Sequence, residues 1–269
     1  MIRERYFEVG GQRTRFLEAG NGWPVLLIHA FPLNADMWRP QLERVPDGWR
    51  FIAPDLRGFG PHPPQDPPAA LTLDDYARDL GLLLDELHID DLVIGGLSMG
   101  GYVTFALFRQ SPERFTGMLL ADTRSQADTA EGRAARAKMR DLLAEHGPSA
   151  IADQMLPKLL SARSRAERPA LVRETRRMIE SNPAAAIDGA LGAMMERPDS
   201  TGDLAHIPCP ALVIVGEHDE VTPQADAERM RGEIPRSLLT VIPGAGHLSN
   251  LERPDEFSRA LHDFLVAHM

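Results

Sequence analysis

The sequence predicts an α/β fold, a parallel sheet covered by helices on both faces. Three observations predict it: short apolar runs rich in Val, Ile and Leu recur along the chain, amphipathic stretches separate them, and Gly- or Pro-marked loops join the two. Short runs without polar alternation suit strands buried on both faces. Strands that alternate with helices assemble into a parallel sheet. The hairpin comes first: Tyr6–Val9, Gly10-Gly11 and Arg13–Ala19 read as two antiparallel strands at the sheet edge. The buried runs follow at Val25–Ile28, Phe51–Pro54, Leu92–Gly96, Gly117–Ala121, Leu212–Val215 and Leu238–Ile242. The clearest helix places Leu73, Tyr76, Ala77, Leu80, Leu83, Leu84 and Leu87 on one face. Thr72 and Asp75 form its capping box, and Asp74 adds charge where the helix dipole favours it.

The alternation stops once. From Arg124 to Ser200 there is no strand pattern, only helical stretches punctuated by Gly132, Gly147-Pro148, Pro157, Pro169, Pro183 and Pro198. Residues 124–200 therefore read as several short helices forming a lid, inserted into a core of residues 1–123 and 201–269. The lid has thirteen basic against eleven acidic residues, so the remainder of the chain carries −12. It also holds five of the eleven methionines, which serve either as gap-filling core or as an adaptable pocket lining. Pro61–Pro68, with five prolines, reads as a stiff loop.

Composition bounds the function. The chain has 269 residues, 43% of them apolar and 25% charged, which is ordinary for a globular protein with a sizeable core. Its net charge of −10 repels phosphate backbones and argues against nucleic acid as a partner. Cys209 is the only cysteine, so no internal disulfide forms, and no Cys/His spacing suggests zinc. No run approaches the ~18 apolar residues that span a bilayer, and the N-terminus has no secretory apolar region. These features predict a cytoplasmic protein without a membrane partner, and leave assembly as a homo-oligomer open.

The chemistry centres on Gly96-Leu97-Ser98-Met99-Gly100, a G-x-S-x-G motif. It follows a strand run and opens a helical pattern of Met99, Tyr102, Val103, Ala106 and Leu107, the strand–turn–helix context of a nucleophile elbow. A serine hydroxyl is a poor nucleophile near neutral pH, so it needs a base, and the base needs an orienting acid. Of nine histidines, His247 sits in a Gly-rich loop directly after the last strand run. His62 lies in the proline loop, His262 and His268 on the terminal helix, and His88, His146 and His206 at helix ends or loops. His218 and Asp219 both follow the Leu212–Val215 strand, and a carboxylate at that strand end is well placed to receive an imidazole N–H. Asp122, after the preceding strand run, is the rival acid. Met99 N–H, and Phe31 N–H in the His29–Leu33 loop, are the candidate oxyanion donors. His29 reads as holding that loop by hydrogen bonding.

Over nearly its whole length the chain resembles the α/β-hydrolase superfamily, in particular its compact bacterial carboxylesterase, enol-lactonase and perhydrolase-like branch. The resemblance rests on His29–Trp38, Ala53–Gly60, Gly96–Gly101, Pro210–Asp219 and Pro243–Phe257. It implies an eight-stranded, mostly parallel sheet with the lid after strand six, a Ser98–Asp219–His247 triad, and Phe31 and Met99 as oxyanion donors. The family usually has glycine where this chain has Ala30, which is tolerated unless φ is positive there. Asp55, Arg57 and Gly58 match a segment expected to hold a loop-organising ion pair. Ser98 at the nucleophile position argues against the dehalogenase and epoxide-hydrolase chemistries, which use aspartate there. The expectation is a serine hydrolase cleaving carboxylic esters of small to medium, neutral acyl groups, with no metal or organic cofactor. The alternatives are an enol-lactonase or C–C bond hydrolase acting on an anionic substrate, a perhydrolase, or a ligand receptor on the same fold.

Overall fold

The computed structural model describes residues 1–9, 11–61 and 71–268. Gly10 of the hairpin turn, His62 and all of the Pro61–Pro68 loop after Pro61 lie outside the described residues. In chain order the strands and helices are β1 (Arg3–Val9), β2 (Gln12–Gly20), β3 (Gly22–Ile28), the single turn α1 (Arg39–Leu42), β4 (Gly48–Pro54), α2 (Leu73–Glu86), β5 (Leu92–Leu97), α3 (Met99–Gln110) and β6 (Phe115–Ala121). Four helices follow before the next strand: α4 (Ala130–Leu159), α5 (Ala162–Glu167), α6 (Pro169–Glu180) and α7 (Ala184–Met195). The chain closes with β7 (Ala211–Gly216), α8 (Gln224–Glu233), β8 (Ser237–Ile242), the short α9 (Ser249–Glu252) and α10 (Pro254–His268).

The eight strands form one sheet in the order β1-β2-β4-β3-β5-β6-β7-β8. β1 and β2 pair as the expected edge hairpin, β2 runs antiparallel to β4, and every later pairing is parallel. The sheet is therefore the mostly parallel one that the alternation of strand and helix implies. β3 and β4 begin about a turn of chain earlier than their apolar runs, at Gly22 and Gly48, because their first residues pair while still at the surface. Trp23, for example, pairs with Trp49 yet stays 45% exposed. A hydrophobic run marks the buried half of such a strand and misses its wet half.

β5 is buried along its whole length, and ten of the twelve residues of α3 are buried against the sheet. This places the G-x-S-x-G turn at the centre of the molecule, at the carboxyl ends of the parallel strands, where α/β sheets open their crevices. α2 has the expected capping box: the Asp75 N–H donates to the Thr72 hydroxyl (3.1 Å), and the Thr72 N–H donates to the Asp75 carboxylate (2.9 Å).

The proline and glycine punctuation between β6 and β7 acts unevenly. Gly147 takes φ +73°, ψ −174° and breaks α4 ahead of Pro148. Pro169 opens α6 in its first turn, where a missing N–H costs little. Pro157 lies inside α4 two residues before its end, and the helix stops at Leu159. α6 buries Leu171, Thr175, Met178 and Ile179 on one stripe. Of the five methionines in this region, Met178 and Met194 are fully buried, and Met139, Met155 and Met195 are half-buried. Among the described residues no helix is long and apolar enough to cross a membrane.

The Asp55 segment corrects one expectation. Asp55 and Arg57 do not pair with each other. Asp55 instead accepts from Arg15 Nε at 2.8 Å and from the Ala35 N–H at 2.8 Å, while Arg57 reaches Asp79 on α2. The strand ends at Pro54 and Arg57 already sits in a turn, so the two side chains point to different neighbours, each far away in sequence and not named by residue spacing. The Arg15–Asp55 pair joins β2 to the loop after β4 and anchors the loop after β3. Removing one partner of a buried pair strands the other charge. Asp55→Ala should therefore lower unfolding free energy by about 3–5 kcal/mol in a denaturant titration. The double replacement Arg15→Met/Asp55→Leu should lose far less, and equal losses would show that the pair is not what holds the loop.

Candidate active site

Ser98 occupies the turn between β5 and α3 with φ +55° and ψ −112°, a conformation that non-glycine residues rarely adopt. The flanking glycines make the turn sterically feasible. A Cβ on Gly96 would lie 2.6 Å from the Gly100 carbonyl carbon, and one on Gly100 would lie 2.2 Å from the Ile28 carbonyl oxygen. Strand, helix and β3 therefore approach too closely for any side chain at either position. Ser98 itself is held by backbone: its N–H donates to the Ala121 carbonyl (2.9 Å), and its carbonyl accepts from Gly101 N–H and the Thr123 hydroxyl. No hydrogen bond engages the Ser98 side-chain hydroxyl among the described residues.

Asp219 and His247 come together. The Asp219 turn after β7 and the loop after β8 are bonded to each other through the His218 N–H and Ala245 carbonyl (2.7 Å), and a Cβ on Gly216 would strike the Gly246 carbonyl at 2.0 Å. Across this seam the ring of His247, 1% exposed, places Nδ1 2.8 Å from Asp219 Oδ2. Asp219 also accepts from the Val221 N–H (2.8 Å), the Thr222 N–H (3.0 Å) and the Thr222 hydroxyl (2.6 Å). Burial alone would raise its pKa, but the imidazole and these donors outweigh burial and hold the carboxyl below its ordinary range. Donation from Nδ1–H to a carboxylate leaves Nε2 as the acceptor.

No hydrogen bond joins the Ser98 hydroxyl to His247 among the described residues. The two are linked through intermediate groups. Asp122, next to the Ala121 and Thr123 contacts of Ser98, accepts from the Ser249 hydroxyl on the histidine loop and from the Gly216 N–H (2.7 Å). The loop after β8 is thereby drawn back over β7 and β6 toward the elbow.

Among the described residues Asp122 makes no hydrogen bond or ion pair with a histidine. It is fully buried at φ +42°, and burial followed by the nearby Asp219 charge pushes its pKa well above the ordinary carboxylate range. The other histidines are equally clear. His29 is buried, with Nδ1 3.0 Å from the Ala30 carbonyl and Nε2 accepting from the Leu56 N–H at 3.0 Å, and burial lowers its pKa to about 4. It thus ties the loop after β3 to the loop after β4. His88, His146, His206, His218, His262 and His268 are exposed.

Phe31 lies in a turn closed by the Leu33 N–H on the Ala30 carbonyl (2.9 Å), and Met99 starts α3 beside Ser98. Neither the Phe31 nor the Met99 N–H has a protein acceptor among the described residues. Ala30 does not require positive φ, so the departure from glycine there is sterically free.

Three residues escaped sequence reasoning. Thr222 braces Asp219 from three positions on, a D-x-x-T spacing that was readable. Glu252 is 1% exposed and accepts from the Gly246 N–H (2.7 Å), the Ser161 N–H (3.0 Å) and the Ser161 hydroxyl (2.6 Å), fixing the backbone just before His247. Asn182, between α6 and α7, binds the Phe31 loop; its only local signal is an Asn before Pro183 between two helices.

Known proteins share this arrangement of chain. The family model for the α/β-hydrolase fold matches residues 24–254. The 3-oxoadipate enol-lactonase 2 of Acinetobacter baylyi is 30% identical over 88% of this chain and 87% of its own. A thermophilic esterase from Thermogutta terrifontis, solved with malate bound, superposes with a TM-score of 0.92 at 37% identity, covering 99% of this chain and 100% of that one. The enol-lactonase from Burkholderia xenovorans gives 0.89 at 26% identity, covering 97% and 100%. With a family match across most of its length and an eight-stranded sheet of matching architecture, the chain belongs to the α/β-hydrolase fold family.

Proposed function

We propose that this protein is a serine hydrolase that cleaves carboxylic esters of small to medium, neutral acyl groups through an acyl-enzyme. The observation that carries the reading is the buried 2.8 Å contact between His247 Nδ1 and Asp219, set beside an elbow serine with two unengaged N–H groups at its crevice. In this reading His247 Nε2 takes the Ser98 proton as the hydroxyl oxygen attacks the ester carbonyl. The Phe31 and Met99 N–H groups hold the tetrahedral oxyanion. His247 then gives its proton to the departing alcohol and activates water for deacylation, while Asp219 fixes the ring tautomer. Residues 124–200 act as a cap over the site.

Charge bookkeeping in the cap supports a neutral acyl group. Every cap arginine that is buried or half-buried already has a protein partner: Arg197 and Arg136 share Asp128, Arg176 meets Asp153 and Glu180, Arg124 meets the Val221 carbonyl, and Arg168 meets the Leu251 and Glu252 carbonyls. At Arg124, Arg136, Arg176 and Arg197, whose partners include carboxylates, a substrate carboxylate would have to displace an existing ion pair; Arg168 meets backbone carbonyls alone. The similarity to a thermophilic esterase favours the ester over the lactone, although the two enol-lactonases make a lactone the natural rival.

Ser98→Ala should reduce ester hydrolysis on the order of 10⁴–10⁶-fold with the fold intact. A phosphonate probe followed by peptide mapping should mark Ser98 alone; a label elsewhere means another nucleophile.

The two acids should separate cleanly. Asp219→Asn should cost roughly 10⁴-fold in kcat, because it loses the acceptor that fixes the imidazole tautomer. Asp122→Asn should cost little, since an amide resembles the protonated acid. Asp122 holds its proton to higher pH when folded, so its contribution to stability is full below the ordinary carboxylate range and is lost as pH rises through the native value. Denaturation of Asp122→Asn across that range should lack this loss. A larger kinetic cost for Asp122→Asn would move the catalytic acid to the end of β6.

Across p-nitrophenyl esters, each methylene that fits should add about 0.8 kcal/mol to transition-state binding until the pocket fills. The ratio kcat/KM should rise and then collapse with chain length. A strong preference for a carboxylated lactone in the same assay would replace the neutral-ester reading with the enol-lactonase one.

A further inference from the structure

Asn182 is the most heavily bonded side chain of the cap. It is 2% exposed, and its amide nitrogen lies 2.8 Å from the Pro32 carbonyl, 3.2 Å from the Leu33 carbonyl and 2.9 Å from the Met178 carbonyl. Its amide oxygen accepts from the Gly60 N–H at 2.8 Å. One side chain of the cap thus grips two core loops, the one after β3 and the one after β4. The first two carbonyls belong to the residues that directly follow Phe31. Beside this grip, Asn34 Nδ2 donates to the Ser181 hydroxyl at 3.3 Å, a second cap-to-loop contact that does not touch Pro32 or Leu33.

From this geometry we propose that Asn182 is a positioning residue for the oxyanion hole, so that seating the cap and aiming the Phe31 N–H are one event. The inference rests on reading Phe31 as an oxyanion donor. The turn that carries Phe31 is short, and the Leu33 N–H to Ala30 carbonyl bond closes it on one side only. His29 holds its start through the Ala30 carbonyl, and Asp55 holds the Ala35 N–H beyond it. Between those anchors, the Pro32 and Leu33 carbonyls have Asn182 as their side-chain donor. The Phe31 N–H belongs to the peptide whose carbonyl is that of Ala30, held by the Leu33 N–H and His29. Releasing the Pro32 and Leu33 carbonyls loosens the Leu33 side of that hold, and misdirection of one oxyanion donor acts on the transition state rather than on ground-state binding.

The test compares Asn182→Ala, Asn182→Asp and Ser181→Ala with the unaltered protein, each normalised by phosphonate titration of active serine. Asn182→Asp keeps the size and the acceptor for Gly60 while removing the N–H donors. Both Asn182 variants should lose roughly 10- to 100-fold in kcat, with KM within about threefold. Affinity for a trifluoromethyl ketone, whose adduct with Ser98 carries an oxyanion, should fall in the same proportion. Ser181→Ala should behave as the unaltered protein. An unchanged kcat, a loss confined to KM, or an equal loss in Ser181→Ala overturns the role assigned to Asn182. Amide exchange on the unaltered protein supplies a test independent of any variant's folding: the Leu33 and Gly60 N–H groups should open together, and Leu33 exchanging ahead of Gly60 also overturns it. Retained activity in Ser98→Ala would instead sink the serine-hydrolase reading itself, whereas normal kinetics in Asn182 variants of a Ser98-dependent enzyme sink this inference alone.

Discussion

The left-handed turn at Ser98 is the constraint around which the rest of the molecule is arranged. A serine at φ +55° and ψ −112° stores strain of order 1–3 kcal/mol, and it persists only where its surroundings over-determine it. Here they do so from three sides. Gly96 and Gly100 let β5, α3 and β3 pack backbone to backbone. The Ala121 carbonyl accepts from the Ser98 N–H, and the Thr123 hydroxyl donates to the Ser98 carbonyl. The turn therefore needs a buried parallel sheet on both sides, and it needs the strand after it to end at the same level. The hairpin, the Arg15–Asp55 pair and the edge strands are remote from this point, yet they fix the loops that must face it.

Two carboxylates lie near each other behind the site, and their surroundings drive them apart. Asp219 accepts four hydrogen bonds, one of them from the imidazole, and is held in its charged form. Asp122 is more deeply buried, feels the Asp219 charge, and is pushed toward its neutral form. A pair separated in this way can divide its labour. In the proposed mechanism Asp219 carries the charge that stabilises an imidazolium. Asp122 serves as a buried joint between the Gly216 N–H and the Ser249 hydroxyl, joining β6, β7 and the histidine loop without adding a second negative charge beside the first.

What could be read from the sequence was whatever local chemistry writes into it. The buried halves of the strands, the capped helix at Leu73, the strand–turn–helix context of Ser98, and the positions of Asp219 and His247 after successive strands all depend on neighbours within a few residues. The partners of Asp55 and Arg57 were not legible, because they lie forty residues upstream and on α2, and nothing in a short segment specifies them. Glu252 and Asn182 were missed for a related reason. A buried polar side chain looks like any surface Glu or Asn until the backbone groups it must satisfy are known, and those belong to loops far away in sequence. Thr222 is the exception, three residues from the carboxylate it braces.

Those missed contacts bear on how the proposed cap is held. An element that merely covers a pocket needs apolar contact, which slides easily because it has no direction. This one is joined to the core by buried, directional bonds: Ser161 to Glu252, the Leu159 carbonyl to the Leu248 N–H, and Asn182 to the Pro32 and Leu33 carbonyls and the Gly60 N–H. Undocking would leave these groups unpaired until water reached them, at a cost of about 1–3 kcal/mol for each unmet partner. The two attachment points lie beside His247 and beside Phe31, the base and one oxyanion donor of the proposed mechanism. In the proposed reading, movement of the cap as a whole disturbs both, which ties its seating to the geometry of the site and favours smaller motions within the cap for routine substrate entry. Its interior has joints for such motion, including the break at Gly147 and the half-buried methionines at 139, 155 and 195.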